Sequence, residues 1–268
     1  MHARKCIEIS VITAVYNRAR TLPNTLASIA QQQHRALQHI VIDGASSDGT
    51  LEILEAHRDA LSALVSEPDQ GVYDALNKGL TIASGDVVGF LHSDDVFAHS
   101  QVLQRIASAF EDETVDAVYG DLQYVAQDDA SHVIRHWSGG THSLSRLHWG
   151  WMPPHPTLFM RRRVYEQFGY FDTSFEIAAD YDHILRCLGS GKIRVAYIPE
   201  VLVKMSVGGI SNRSLRHVLK KSGEDLRAMR KNSIGGVAAL GWKNLSKVPQ
   251  FLSRQARAGH SSNLENHS

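Results

Sequence analysis

Gly85–Asp95 reads GDVVGFLHSDD. An apolar run, Val87–Leu91, ends in a polar tip that carries two adjacent carboxylates, Asp94 and Asp95. A buried strand of this kind holds its last residues rigidly at the carboxyl edge of a sheet, where α/β proteins bind ligands. Side chains alternate along an extended chain, so neighbouring aspartates point in different directions. One is then free to hold a divalent cation while the other meets a sugar hydroxyl or shapes the site. Mn2+ and Mg2+ are hard cations that favour carboxylate oxygens, and Mg2+ commonly uses one or two protein carboxylates plus substrate phosphates. The same residues also suit a solvated turn, or a cap for the helix that begins near Ser100.

Upstream of this strand the chain alternates. Ile7–Thr13, His39–Ile42 and Leu61–Ser66 are apolar and β-branched enough to read as strands. Thr21–Gln33, Thr50–Arg58 and Val72–Ala83 read as helices, and Gln101–Phe110 follows downstream. Strands and helices joined by short loops predict a mostly parallel α/β sheet with its ligand loops on one edge. After about Asp116 the alternation weakens. Ala117–Tyr119, His132–Trp137, Thr157–Met160, Arg194–Ile198 and Val201–Val207 read as strands, and Arg162–Phe168 and Asp180–Leu188 as helices. A Trp-, Pro-, Gly- and His-rich loop from Trp137 to Pro156 suits a concave sugar site, although Trp137, Trp149 and Trp151 suit simple packing as well.

Composition sets limits. A chain of 268 residues can bury a full core and suits one domain with an appendage. Its formal net charge is zero, so nucleic acid is not an expected partner. Charge is unevenly placed, with eleven Lys and Arg between Arg213 and Arg257 against only Glu224 and Asp225. The two cysteines, Cys6 and Cys187, form no disulfide framework, and Cys187 reads as a packed thiol. Neither an apolar leader nor an apolar run of spanning length occurs in the sequence. A cytoplasmic location is therefore expected.

Five blocks stand in order: SVITAVYNR (Ser10–Arg18), IVIDGASSDGT (Ile40–Thr50), SEPDQGVYDALNKG (Ser66–Gly79), GDVVGFLHSDD (Gly85–Asp95) and IAADYDHILR (Ile177–Arg186). Together they resemble the family 2 glycosyltransferases of GT-A fold, of the type that assembles bacterial exopolysaccharide or O-antigen repeat units. The resemblance implies a Rossmann-like α/β sheet flanked by helices and an inverting transfer of sugar. The donor would be a nucleotide-diphosphate sugar, UDP- or GDP-linked, and the acceptor a glycan or lipid-linked molecule. It implies domain limits of 1–212, with a nucleotide-sugar half at 1–120 and an acceptor half at 121–212. A basic helical tail at 213–255 and a disordered end at 256–268 would follow.

The resemblance also distributes roles. Asp43 is expected to accept an N–H from the donor's base, or else to open the GASSDGT turn. Tyr16 would stack on the base, and Asn17 would contact the nucleotide or serve the local turn. Gln70 and Gly71 lie in a loop that approaches the base, where Gly71 permits close contact or simply turns the chain. Lys78 either reaches a phosphate or is solvated. Asp95 is expected to bind Mn2+ or Mg2+ and Asp94 to contact the ribose or sugar, with the two roles exchangeable. His92 stands where the family usually has a further aspartate, and would either bind Mn2+ or pack. Asp180 would be the general base, and Ala179 replaces the glutamate that usually precedes it. A helix cap is the alternative for Asp180. His155 would meet the diphosphate or the metal, or be structural. Gly208-Gly209 with Ser211 resembles a loop that closes over the donor.

The tail lies outside these blocks. The tail from Arg213 has basic helical faces and a small apolar segment, Ile234–Trp242, suited either to an anionic membrane surface or to packing on the domain. Other functions fit less well. A nucleotidyltransferase would want a Gly-rich phosphate loop near the first strand, and TAVYNRART is not one. A non-catalytic sugar-binding module fits the departures at His92 and Ala179. A processive synthase is disfavoured, because no spanning segment and no QxxRW block occur.

Overall fold

The structure is a computed structural model that describes residues 6–207 and 215–245. Its first half follows the alternation read from the sequence. Strands β1 (Ile9–Val15), β2 (Leu37–Asp43), β3 (Ala63–Ser66) and β4 (Val87–Phe90) are parallel, in the order β3-β2-β1-β4. Helices α1 (Leu22–Ala30), α2 (Thr50–Ala56), α3 (Val72–Ile82) and α4 (Val102–Ala109) connect or follow them. All seven residues of β1 are buried, because both faces of the sheet are covered. Ile12 and Ala14 face one core with Leu76 and Leu80 of α3, while Ile9 and Val11 face the other with Leu103 and Ile106 of α4. The two-residue period of the strand thus feeds two cores.

The second half departs from simple alternation. Strand β8 (Phe159–Arg161) is inserted antiparallel between β4 and β6 (Ala117–Ala126). Strand β9 (Val195–Val207) runs parallel to β6 along its whole length, through register shifts around Asp121. The two strands read as Arg194–Ile198 and Val201–Val207 are therefore one, and the stretch after Tyr119 continues as strand despite its polar residues. Each is held by its neighbour rather than by its own pattern. Strand β7 (Asp129–Trp137) forms a hairpin with β6. A three-residue strand, β5 (Asp95–Phe97), pairs antiparallel with the end of β9. The sequence reading had only a turn or cap there, and this pairing is what fixes Asp95. The remaining helices are α5 (Leu144–His148), α6 (Arg162–Phe168) and α7 (Ala179–Leu188).

The tail supplies α8 (Leu215–Lys231) and α9 (Val237–Leu245). Ala228, Met229, Ile234 and Ala239 join the core that covers α3 and α7. The apolar segment Ile234–Trp242 is accordingly not free as a unit: Ile234 and Ala239 are buried, and Val237 and Trp242 are exposed. Much of the positive charge is paired locally. Lys220 meets Glu176, Lys231 meets Asp172 and Asp182, and Arg227 donates to Ser174 Oγ and lies over the Phe175 ring. Lys243 and Asp225 form a buried pair at 3.0 Å. No described helix is long and apolar enough to cross a membrane. The glycine loop at 208–211 and the segment 256–268 lie outside the described residues.

Candidate active site

The carboxyl ends of β1, β2 and β4, with β5, make one edge. Two aspartates on it are both fully buried and have opposite surroundings. Asp43 ends β2 with its carboxylate saturated. It accepts from Ser66 Oγ at 2.6 Å, from the Ser46 N–H at 3.1 Å and from the Ser46 hydroxyl. This network ties the end of β2 to the end of β3 and to the turn beyond. The Asp43 carboxylate has no exposed surface, and its hydrogen bonds shape the turn that opens at Gly44. Asn17 likewise serves the turn. It has φ 51°, its Oδ1 accepts the Ser47 N–H, and its own N–H donates to Ser46 Oγ. Asp48 ties the start of α2 to the β1 loop by accepting from Thr50 and from the Ala19 N–H.

Asp95 is the opposite case. Both of its oxygens are buried and neither accepts a hydrogen bond of good geometry, the Ser206 amide lying near but poorly placed. Burial, and then the Asp94 charge, push its pKa well above the usual carboxylate range, and only the backbone amide of Ser206 works the other way. An orphaned buried carboxylate is costly unless something completes it. Asp94 beside it is partly exposed and opens into a polar cleft of about 380 Å³ with Arg18, Arg20, Asp48, Gln127 and Ser206. A hard divalent cation fits this oxygen-donor pair. Among the described residues no three carboxylate, imidazole or thiolate groups converge as a ready-made metal site. Mg2+ and Mn2+ commonly complete such a shell with water and substrate phosphate oxygens.

Asp180 approaches from the other side. It lies in the first turn of α7, one residue inside the helix, with Ala178 as the cap residue. The loop that leads into the helix is anchored by Glu224 of α8, which accepts the N–H groups of Glu176, Ile177 and Ala178 at 3.2, 2.8 and 2.9 Å. Asp180 also ties down its own turn, its Oδ1 accepting the Tyr181 N–H at 2.8 Å. The Tyr73 hydroxyl shares its proton between Ile177 O at 2.8 Å and Asp180 Oδ1 at 3.2 Å. Burial and the Asp180 charge raise the Tyr73 pKa, so the phenol remains a donor.

The two histidines complete the cluster. His92 and His155 have ring centroids 6.2 Å apart. Burial lowers the His92 pKa, while the charges of Asp94 and Asp180 raise it in part. His155 is held down to about 4, chiefly by burial and partly by His92, with Asp180 opposing. Both ring nitrogens of His155 are buried and unpartnered, so it is a neutral imidazole with unused hydrogen-bonding capacity. His92, Asp94, Asp95, His155 and Asp180 are thus brought together. Lys78 is not among them: it meets Glu67 at 2.7 Å, Asp74 at 3.6 Å and Pro68 O at 3.0 Å. Gly71 has φ +115° at the cap of α3, which explains the glycine. The Gln70 N–H donates to Asp74. Tyr16 is 59% exposed above the end of β1. The sequence reading missed Tyr73 and Glu224 as neighbours of Asp180, and Arg18 and Arg20 as cleft residues.

Residues 10–171 match the model of glycosyl transferase family 2. The chain belongs to this family. That decides against the nucleotidyltransferase reading of the sheet. A PGL/p-HBAD biosynthesis glycosyltransferase of Mycobacterium bovis is 32% identical over 208 residues, covering 76% of this chain and 78% of the relative. Glycosyltransferase AglE of Haloferax volcanii is 28% identical, covering 68% and 62%. Among solved structures, S. aureus TarS in complex with UDP-GlcNAc superposes with TM-score 0.66 at 19% identity, over 84% of this chain and 65% of that one. Against another TarS chain this chain spans 43% of the length. The mannosyltransferase PcManGT from Pyrobaculum calidifontis, in complex with GDP-Man and Mn2+, gives 0.63 at 20% identity, over 96% and 76%. The GT-A fold expected for this family 2 chain is therefore the fold it has. The relatives do not bear out the exopolysaccharide or O-antigen type.

Proposed function

We propose that the chain is an inverting glycosyltransferase that uses a UDP- or GDP-linked sugar and a glycan or lipid-linked acceptor in surface glycan synthesis. The observation that carries this reading is the convergence of Asp180, His92 and Asp94 at the carboxyl edge of a family 2 sheet. Asp180 accepts the proton of the acceptor hydroxyl, and Tyr73 fixes the carboxylate oxygen it touches. The acceptor oxygen then attacks the anomeric carbon from the face opposite the leaving diphosphate, in a single displacement without a covalent enzyme intermediate. Asp95 and Asp94 would hold Mn2+ or Mg2+, which when bound neutralises charge on the leaving diphosphate. Arg18 and Arg20 line the same cleft and would add positive charge there. Neutral His155, with both nitrogens unused, is available to the diphosphate side.

Support for a lipid-linked acceptor comes from two observations. Val218, Leu219, Val237 and Trp242 of α8 and α9 are exposed. A 32%-identical relative is named for PGL/p-HBAD biosynthesis. Reversible attachment to an anionic membrane at the cytoplasmic face fits such a surface. The test of the function is incubation of the purified protein with UDP-, GDP- and dTDP-sugars and Mn2+. Release of nucleoside diphosphate from one donor is expected. No release from any of them, with or without added lipid extract, would overturn the reading.

A further inference from the structure

One peptide unit governs how Asp180 is presented. Its carbonyl is Ile177 O, and its amide is the N–H of Ala178, the cap residue of α7. The Tyr73 hydroxyl of α3 donates to the carbonyl at 2.8 Å, and Glu224 of α8 accepts from the amide at 2.9 Å. Two different helices therefore grip the plane of this peptide from its two ends. The same Glu224 carboxylate takes the Ile177 and Glu176 amides, so turning the segment that enters α7 breaks charge-assisted bonds.

The grip reaches the carboxylate of Asp180. The Tyr73 proton divides between Ile177 O and Asp180 Oδ1, and the Tyr181 N–H also binds Oδ1. Oδ2 accepts from no described residue and is left for chemistry. Two residues on, the fully buried Asp182 accepts from Lys231 Nζ at 3.0 Å and from Asn232 Nδ2 at 2.9 Å. Lys231 follows Glu224 by about two helical turns, on one face of α8. A single helix thus ties both the entrance and the first turn of α7. That helix lies beyond residues 10–171, the part of the chain that matches the family model.

We propose that Glu224 is a positioning residue for the transfer step. By fixing the Ile177–Ala178 peptide it fixes the Tyr73 bond, and through that bond the Asp180 carboxylate that takes the acceptor proton. The proposal rests on the reading of Asp180 as the general base. Without Glu224 the three amides turn to water, and Ile177 O no longer holds the Tyr73 hydroxyl where Asp180 shares it. A misplaced proton acceptor costs rate. Donor affinity is spared, because the carboxyl ends of β1, β2 and β4 are built without α8.

The experiment measures nucleoside diphosphate release from the donor sugar that wild type turns over, with Mn2+ and with water as acceptor. Calorimetry of the matching nucleoside diphosphate runs beside it. The proteins are wild type, Glu224→Ala, Glu224→Gln, Lys220→Ala, Asp180→Asn and the double variant of Asp180→Asn with Glu224→Ala. Glu224→Ala should lower kcat about tenfold to a hundredfold and leave Kd within about twofold. Glu224→Gln keeps one acceptor oxygen on the same stem and should recover part of the rate. Lys220→Ala removes a side-chain pair with Glu176 but leaves the amides held, and should match wild type. In the Asp180→Asn background, Glu224→Ala should cost less than about threefold, because its effect passes through a carboxylate already removed. A merely structural tie would give the same factor in both backgrounds. Melting curves check folding at the assay temperature. If Glu224→Ala melts below it, Glu224→Gln takes its place in both backgrounds, and no loss in that variant then overturns the proposal. A Glu224→Ala rate within about twofold of wild type, an equal loss of rate and affinity, or an undiminished factor in Asp180→Asn also overturns it. Wild-type turnover in Asp180→Asn alone would instead overturn the reading of Asp180 as the base.

Discussion

The ends of β2 and β4 offer a natural contrast. Each leads to an aspartate with no exposed surface, Asp43 on one side and Asp95 on the other. Asp43 has its charge satisfied by two serines, and Asp95 has neither oxygen satisfied. Burial alone therefore does not distinguish a carboxylate that the fold satisfies from one that it leaves open. What distinguishes them is whether the protein itself completes the hydrogen bonding. The β2 end is finished and acts as a floor. The β4–β5 end is unfinished and needs a proton or a ligand.

The largest expected effect lies at the unfinished end. Asp180→Asn should lower turnover by ~10²–10⁴, the usual contribution of a general base, and leave donor affinity unchanged. Nucleoside diphosphate release and calorimetry on the same preparation check this. Turnover within a few-fold of wild type would remove Asp180 from the chemistry.

Next comes a pair of substitutions with opposite signs. Asp43→Asn puts an amide N–H against the donors of Ser46 and Ser66 and should cost about 1–3 kcal/mol of stability in urea unfolding. Asp95→Asn should stabilise the metal-free protein. Unfolded, Asp95 ionises at its ordinary value of 3.8, and folded it keeps its proton to higher pH. Folding is thus opposed progressively as pH rises above 3.8, and the opposition vanishes below it. A gain of about 1 kcal/mol would raise Tm by about 2–4 °C near neutral pH, with no gain at low pH. Mn2+ with a nucleoside diphosphate should raise the Tm of wild type and much less that of Asp95→Asn. Shifts of the same sign in the two variants would break the contrast.

The smallest effect is expected at Lys78. Its ammonium is already engaged by Glu67, Asp74 and Pro68, on the surface of α3. Lys78→Ala should change stability by less than about 0.5 kcal/mol and leave the donor KM where it was. A large rise in KM would mean that the lysine swings to the phosphates after all.

Much of the first half was legible in the sequence because its strands are apolar runs buried on both faces, and their loops are short. The five blocks carried the family for the same reason, since each is a strand end plus a loop. Other features were hidden by their dependence on partners far along the chain. β5 is three residues long and exists through its pairing with β9. The polar stretch after Tyr119 is strand because β7 and β9 flank it. The surroundings of Asp43 could not be read, because the serines that satisfy it meet it only in space. The same holds for Ala179. The loop before it is held by Glu224, 46 residues beyond Ala178, a contact that no local pattern announces.

That last contact gives the protein an order of completion during its synthesis. Chains emerge from the ribosome amino end first and fold largely in that order. Strands β1 to β4 and the serines that satisfy Asp43 all lie before Leu91 in the chain. The amides of Glu176, Ile177 and Ala178 wait for Glu224, near the end of the described chain. β5, which holds Asp95, waits in the same way for β9, so the Asp95 end and the loop that carries Asp180 are both anchored by late parts of the chain.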